Sequence, residues 1–314
     1  MKRIKIQKNA LLAPLTTFRI GGPAKYLVTV KNPEDLLEAI NWSRKKRTEF
    51  RVFGGGSNSF FPDQGLDCLV IRFLGGRIKK EKEKLSVDGG VLLAKLIIES
   101  VDNSLEGLEK LAGIPGTVGG AIAGNAGAYG QTISDTLQEV EIFDGEKRRW
   151  MTKKDCFFGY RDSLFKHQPL VILKAIFKLR PGDKSNLKEA VQAIIAKRHR
   201  QYGPNPHCPG CFFKNKKTAE INPKILKKID QKRIIKGKIP AGYLLEAVGA
   251  KGMRVGDIQV ANFHANFLVN VRQGKASEVK ELAEVLKNKV KERFGVNLEE
   301  EALYFQPIPV LTRN

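Results

Sequence analysis

GLEKLAGIPGTVGGAIAGNAGAYG, residues 107–130, is the stretch on which the reading of this chain turns. It holds eight glycines, and no charged side chain occurs between Lys110 and Asp135. A glycine inside a packed helix or strand costs roughly 0.5–1 kcal/mol relative to alanine, so the bare backbone is needed where a Cβ would collide. Two explanations stay open. One is a tightly packed turn in a core; the other is a surface where main-chain N–H groups approach an anionic cofactor such as a diphosphate. A membrane span fits poorly, because Pro115, Thr117, Asn125 and Gln131 break the apolar run and glycine replaces the leucines that lipid favours.

Upstream, a strand at Phe50–Phe53 runs straight into GGGSN at 54–58. Three glycines, a hydroxyl and an amide at a strand end have the chemistry of an anion nest. No Gly-Lys-Ser/Thr follows, so this is not a Walker loop, and Ser59 breaks a GxGxxG pattern. A glycine-rich hairpin is the alternative for this run alone. Two uncharged glycine runs on strand-to-loop edges fit a large diphosphate cofactor better than two unrelated turns.

The chain has 314 residues, enough for two or three domains. With 42% hydrophobic and 28% charged residues it is globular in composition. Its net charge of +22 suits phosphate-bearing ligands or a nucleic-acid surface. The lysines are spread along the chain, however, and no nucleic-acid-binding motif stands out. Four cysteines are too few for a disulfide scaffold of this size, and the apolar stretch at 10–15 is too short for a signal peptide. The expectation is a cytoplasmic monomer with small-molecule partners, and neither nucleic acid nor membrane.

Residues 1–31 read as strands and turns, with Ile4 and Ile6 alternating with lysines and a turn at Gly21-Gly22-Pro23. Asn32 as N-cap and Pro33 at N1 open a helix that ends in the cations Arg44–Arg47. Strands are expected at 68–73, 85–87, 138–143 and 170–179, and helices at 91–101 and 187–201. Residues 203–210, with three prolines and two glycines, make the best linker. The lysine-rich segment 216–238 looks like a solvated insertion, weakly helical at best. Further on come a short helix at 241–248 and a buried strand at 264–271. Val279, Leu282, Ala283, Leu286, Val290 and Phe294 then mark an amphipathic helix stopped at Gly295, and a last strand lies near 303–305.

Three polar residues stand in apolar or glycine surroundings: Arg161 in FGYRDS (158–163), Cys211 in PGCFFKN, and Glu301 in VNLEEEALYF. Taken singly, each has a bland reading, as a surface ion pair, a buried thiol and a solvated glutamate. In chain order, the segments resemble the UDP-N-acetylenolpyruvoylglucosamine reductases of peptidoglycan synthesis (the MurB family). The match spans TTFRIGGPA (16–24), GGGSN, the 107–130 stretch, FGYRDS, CFFKN (211–215), PAGYLLEAVGAKG (240–252), HANFLVN (264–270) and GVNLEEEA (295–302). The chain is similar to the shorter, second type of that family.

The resemblance implies an α+β chain with an FAD-binding fold of the vanillyl-alcohol-oxidase/PCMH type in two subdomains, followed by a C-terminal α+β substrate-binding domain. The subdomains would be 1–75 (completed by 303–314) and 76–206, with the substrate domain at 207–302. It implies a flavoprotein that holds FAD without a covalent link and uses NADPH as cosubstrate. The flavin would pass hydride to the enolpyruvyl C3 of the UDP-sugar, and a proton would go to C2. Cys211 takes the proton-donor position, while Arg161 and Glu301 would polarise the substrate carboxylate and stabilise the enol-like intermediate. FAD would be lined by Arg19, Gly54, Gly55, Gly56, Ser57, Asn58, Gly113, Ile114, Gly116, Thr117, Gly119, Gly120, Asn125, Ala126 and Gly127. The UDP-sugar would meet Tyr160, Lys214, Asn215, Gln259, His264 and Asn266.

There are departures from the family pattern. Most relatives carry serine at Cys211, Lys216 replaces a proline, and 216–238 resembles no part of the pattern. Cys208 and Cys211 form CPGC, which invites a redox or zinc reading. Zinc would need two further ligands, so no metal is assigned. Another flavin oxidoreductase of the same fold and a basic nucleic-acid-binding protein are the alternatives, and flavin absorbance separates the second from the rest.

Overall fold

The computed structural model describes residues 4–202, 207–227 and 229–306. By its internal contacts the chain divides into two compact units, one of residues 1–10, 24–55 and 67–200, the other of 11–23, 56–66 and 201–314.

The first unit is built on two sheets. One has four strands in the order Gln7–Leu11, Pro23–Val30, Leu66–Phe73, Phe50–Phe53, the last two parallel with Phe50 opposite Leu69. The helix Pro33–Lys45 covers it. Asn32 caps that helix by accepting from the Asp35 N–H at 2.8 Å, and the helix buries Leu36, Ala39 and Ile40 against Val28, Val30, Leu69 and Ile71. The expected alternation at Ile4 and Ile6 does not begin the ladder, which starts at Gln7.

The other sheet is antiparallel, in the order Arg148–Thr152, Leu137–Phe143, Val171–Lys178, Lys84–Asp88, Ile78–Glu81. Its apolar face packs against the helix Leu93–Asp102 and the short helix Val118–Ala123, which lies inside the glycine-rich stretch. Thr117 caps that short helix, accepting from the Gly120 N–H at 3.3 Å. The helix Lys184–Tyr202 buries only Leu187 among its residues.

The second unit is centred on the helix Ala276–Phe294, whose buried face is the predicted one: Val279, Leu282, Ala283, Leu286, Val290 and Phe294. Gly295 ends it at φ +67°, the left-handed conformation that glycine tolerates best. Against it pack the helix Ala241–Ala247 and a three-stranded antiparallel sheet of Arg254–Val255, Ile258–Val260 and Leu268–Asn270. Leu303–Tyr304 pairs in parallel with Ser59–Phe60.

Two expectations change here. The strand expected at 264–271 is confined to Leu268–Asn270, because His264–Phe267 closes a turn with the Phe267 N–H on the His264 carbonyl at 3.1 Å. Segment 216–238 is not simply solvated. It leaves and returns through the pair Lys216–Lys217 with Lys238–Ile239, and Ile221, Ile225, Leu226, Ile229 and Ile234 turn inward onto the core. Its lysines obscured that apolar face. Of the linker at 203–210, residues 203–206 lie outside the described residues, as does 307–314.

Candidate active site

Within the first unit the two glycine runs meet. A Cβ on Gly54 would stand 2.1 Å from the Thr117 hydroxyl, and one on Gly55 would stand 3.0 Å from Gly116 Cα. The first is closer than real Cβ contacts and the second is tight, so both glycines serve close packing against 116–117. A Cβ on Gly119 would stand 3.0 Å from the Gly89 carbonyl oxygen. A Cβ on Gly127 would lie 2.8 Å from both the Gln131 carbonyl and Thr132 Cγ2. Gly120 differs. It is exposed, and a Cβ there would meet only the Thr117 hydroxyl, at an ordinary 3.4 Å. Gly124 is open in the same way, with only the Gly120 carbonyl at 3.5 Å. The packing explanation therefore holds for Gly54, Gly55, Gly119 and Gly127, whereas Gly120 and Gly124 leave their backbone open.

FGYRDS is strapped onto this stretch by three bonds. Asn125 Nδ2 donates to the Gly159 carbonyl at 2.7 Å, Arg161 Nη2 to the Gly127 carbonyl at 2.7 Å, and Ser163 Oγ to the Ala123 carbonyl at 2.7 Å. Arg161 sits at φ +56°, uncommon for a non-glycine residue, with its guanidinium 5.8 Å from the centre of the Tyr160 ring. Lys166 Nζ donates to the Arg161 carbonyl at 2.8 Å, which helps hold that conformation. Asn125 is 6% exposed, and its Oδ1 is buried without a hydrogen-bond partner. At the other end of the stretch, Arg198 Nε donates to the Gly113 carbonyl at 3.1 Å.

Within the second unit CFFKN and VNLEEEA lie side by side. The Glu301 N–H donates to the Phe212 carbonyl at 2.7 Å and the Lys214 N–H to the Glu299 carbonyl at 2.8 Å. Asn58 Nδ2 donates to the Glu301 carbonyl at 3.1 Å, bringing the end of GGGSN to the same place. Gly54 and Gly55 belong to the first unit, and Gly56, Ser57 and Asn58 to the second. Asn270 Nδ2 donates to the Phe18 carbonyl at 3.1 Å beside Arg19, which is held at φ +56°.

Cys211 is half-buried, whereas Cys208 is buried with Ala261 and Phe267. That burial pushes the Cys208 thiol pKa up, so it stays protonated. Asn215 Oδ1 accepts from the Ala241 N–H at 3.0 Å, and Gln259 lies opposite Val269 in the three-stranded sheet. His264 Nδ1 accepts from the Asn266 N–H at 3.1 Å, and burial pushes its pKa down, with Glu246 opposing.

Asn266, expected at the UDP-sugar, bonds within the protein. It is 2% exposed, and its amide is spent on Phe213, accepting from that N–H at 2.9 Å and donating to that carbonyl at 2.8 Å. These two bonds hold CFFKN in place. Sequence reading also passed over Ser163 and Lys216. Ser163 lies inside a motif whose tyrosine and arginine drew the reading, and Lys216 stood only as a departure.

The family model for the UDP-N-acetylenolpyruvoylglucosamine reductase C-terminal domain matches residues 203–305, and that for an FAD binding domain matches 24–148. The reductase of Solibacter usitatus is 37% identical over 302 residues, covering 96% of this chain and 97% of the relative. That of Prochlorococcus marinus is 33% identical, covering 96% and 98%. The crystal structure of the Thermus caldophilus enzyme (MurB) superposes with a TM-score of 0.74 at 32% identity, over 97% of this chain and 99% of that one. Fold and site together define a flavoprotein oxidoreductase with an FAD-binding fold. The chain belongs to the UDP-N-acetylenolpyruvoylglucosamine reductase family.

The residues present fit FAD. Gly120 and Gly124 leave bare backbone with room at the Cβ position, and the buried Asn125 Oδ1 is an acceptor that nothing among the described residues satisfies.

Proposed function

We propose that this chain catalyses the NADPH-dependent, FAD-mediated reduction of UDP-N-acetylglucosamine enolpyruvate to UDP-N-acetylmuramate in peptidoglycan precursor synthesis. The observation that carries the reading is the pairing of CFFKN with VNLEEEA. It sets Cys211, Lys214 and Glu301 on two adjacent, hydrogen-bonded segments.

Bound FAD would supply the hydride, taken from NADPH, to the enolpyruvyl C3. Cys211 delivers the proton to C2, and the thiolate left behind is a weak base, since a free thiol titrates near ~8.5. Hydride at C3 and proton at C2 together turn the enol ether into a lactyl ether. Arg161 offers a planar fork to the substrate carboxylate. Glu301 acts protonated and stabilises the negative charge that develops beside that carboxylate.

Lys214, Asn215, Tyr160, Gln259 and His264 meet the UDP-sugar, and Asn266 acts through Phe213. Arg19 and the residues of 54–58 and 113–127 hold FAD. Neither 54–58 nor 107–130 contains a His or Cys that could link to the flavin. The reading includes the three-part division at 75 and 206. It also includes action as a monomer in the cytoplasm. Among the described residues no helix is long and apolar enough to cross a membrane.

Turnover of the enolpyruvyl UDP-sugar with NADPH tests the activity. Acid precipitation tests the linkage: all flavin should appear in the supernatant, and a yellow pellet would contradict non-covalent binding. A colourless protein unable to take up FAD would sink the whole reading.

A further inference from the structure

Segment 216–238 touches the glutamate-bearing segment 295–301 at two separate points. The first is polar. Lys216 is a buried lysine with an 11% exposed side chain, and its Nζ pairs with Glu299. Lys214 Nζ also reaches Glu299, at 3.7 Å, and Lys216 holds the Glu299 pKa below its ordinary value. A buried ammonium persists only where it is paired, so this contact is specific. The second point is apolar. Ile225 Cδ1 would stand 2.9 Å from a Cβ on Gly295, so the isoleucine fills the space left by the glycine that ends the helix Ala276–Phe294. Glu300, the residue between Glu299 and Glu301, is tied separately to Lys287 at 2.7 Å.

We propose that the 216–238 excursion is a clamp on segment 295–301, with Lys216 as a positioning residue that keeps Lys214 and Glu301 in register for catalysis. Its neck starts one residue after Asn215, at the pairing of Lys216 with Ile239. The Lys216 side chain then crosses to Glu299, whose carbonyl accepts the Lys214 N–H. Two residues on, the Glu301 N–H closes onto Phe212. Loss of the Lys216 bond therefore loosens CFFKN and VNLEEEA together. The consequence for catalysis rests on the proposed reductase reading; the clamp itself does not.

Two measurements on the FAD-loaded protein test this. In Lys216→Met, hydrogen exchange at the Lys214 and Glu301 amides should speed up by about tenfold or more, as a local opening free energy falls. The kcat for enolpyruvyl reduction should fall by roughly a hundredfold, the scale of a small misplacement, while FAD content and NADPH-driven flavin reduction stay at wild-type values. Lys216→Arg should restore most of the rate. Ile225→Ala, which leaves the ion pair intact, should show the same pattern more weakly. Unchanged exchange at both amides in Lys216→Met would overturn the clamp. So would equal loss in both half-reactions, which would mark a merely structural lysine. If the wild-type protein fails to reduce the enolpyruvyl sugar, the functional reading falls, and amide exchange still decides the clamp.

Discussion

Arg161 Nη2 donates to the carbonyl of Gly127 at 2.7 Å, across 34 residues of sequence. One nitrogen of the guanidinium thus anchors to the glycine-rich stretch and sets how the fork is presented. Lysine would keep the charge and lose the fork. Arg161→Lys should retain FAD and its reduction by NADPH, while transfer to the enolpyruvyl substrate slows by about 10²–10³-fold. Stopped-flow measurement of the two half-reactions checks this; equal loss in both would assign Arg161 to the cofactor or the fold.

The glycines of 107–130 separate into two experimental classes. Gly120→Val should leave the melting temperature of the apoprotein near wild type and abolish flavin retention, because a Cβ there meets only the Thr117 hydroxyl, at an ordinary contact distance of 3.4 Å. Gly127→Val should instead destabilise the fold by about 1–3 kcal/mol, since a side chain there overlaps Gln131 and Thr132. Thermal melts of flavin-free protein, read beside flavin content, distinguish them. Equal collapse in both would mean that the whole stretch is packing.

Cys211 and Cys208 differ in burial, and their variants should differ in kind. Cys211→Ala should keep FAD binding and NADPH oxidation while the second half-reaction nearly stops. Cys211→Ser should keep substantial activity, as a hydroxyl can occupy the donor position. Cys208→Ala removes a buried sulfur and should cost about 1 kcal/mol of stability with little change in rate. Matching kinetic damage from Cys208→Ala and Cys211→Ala would show the pair acting as a unit and remove the proton-donor assignment.

His264 gives the second unit a pH dependence with a definite sign. Its pKa is lowered from 6.5 by burial, so the folded state binds fewer protons than the unfolded chain. Its contribution to stability is complete above pH 6.5 and is lost as pH falls through the lower, folded-state value. The melting temperature should drop as the pH falls from 6.5 towards that lower value, and His264→Gln should flatten the slope. A slope unchanged in the variant would assign the acid sensitivity to other groups.

The elements legible in the sequence were those set by neighbours in the chain. Asn32 and Pro33 start a helix through local bonds, and Gly295 stops one because its φ of +67° suits glycine. The apolar repeat from Val279 to Phe294 names its own buried face. The order of motifs was enough to identify the family, since each carries its residues in a short run.

Tertiary structure alone decided which glycines pack and which stay open, because that depends on Thr117, Gly116 and Gln131 standing opposite them. It alone gave Asn266 its partner Phe213, 53 residues away, and Lys216 its carboxylate at Glu299, 83 residues away. Propensity and spacing act over a few residues, whereas a buried amide or ammonium takes whatever partner the fold brings to it. Such groups are costly unless paired, and their partners become known only when the chain has closed on itself.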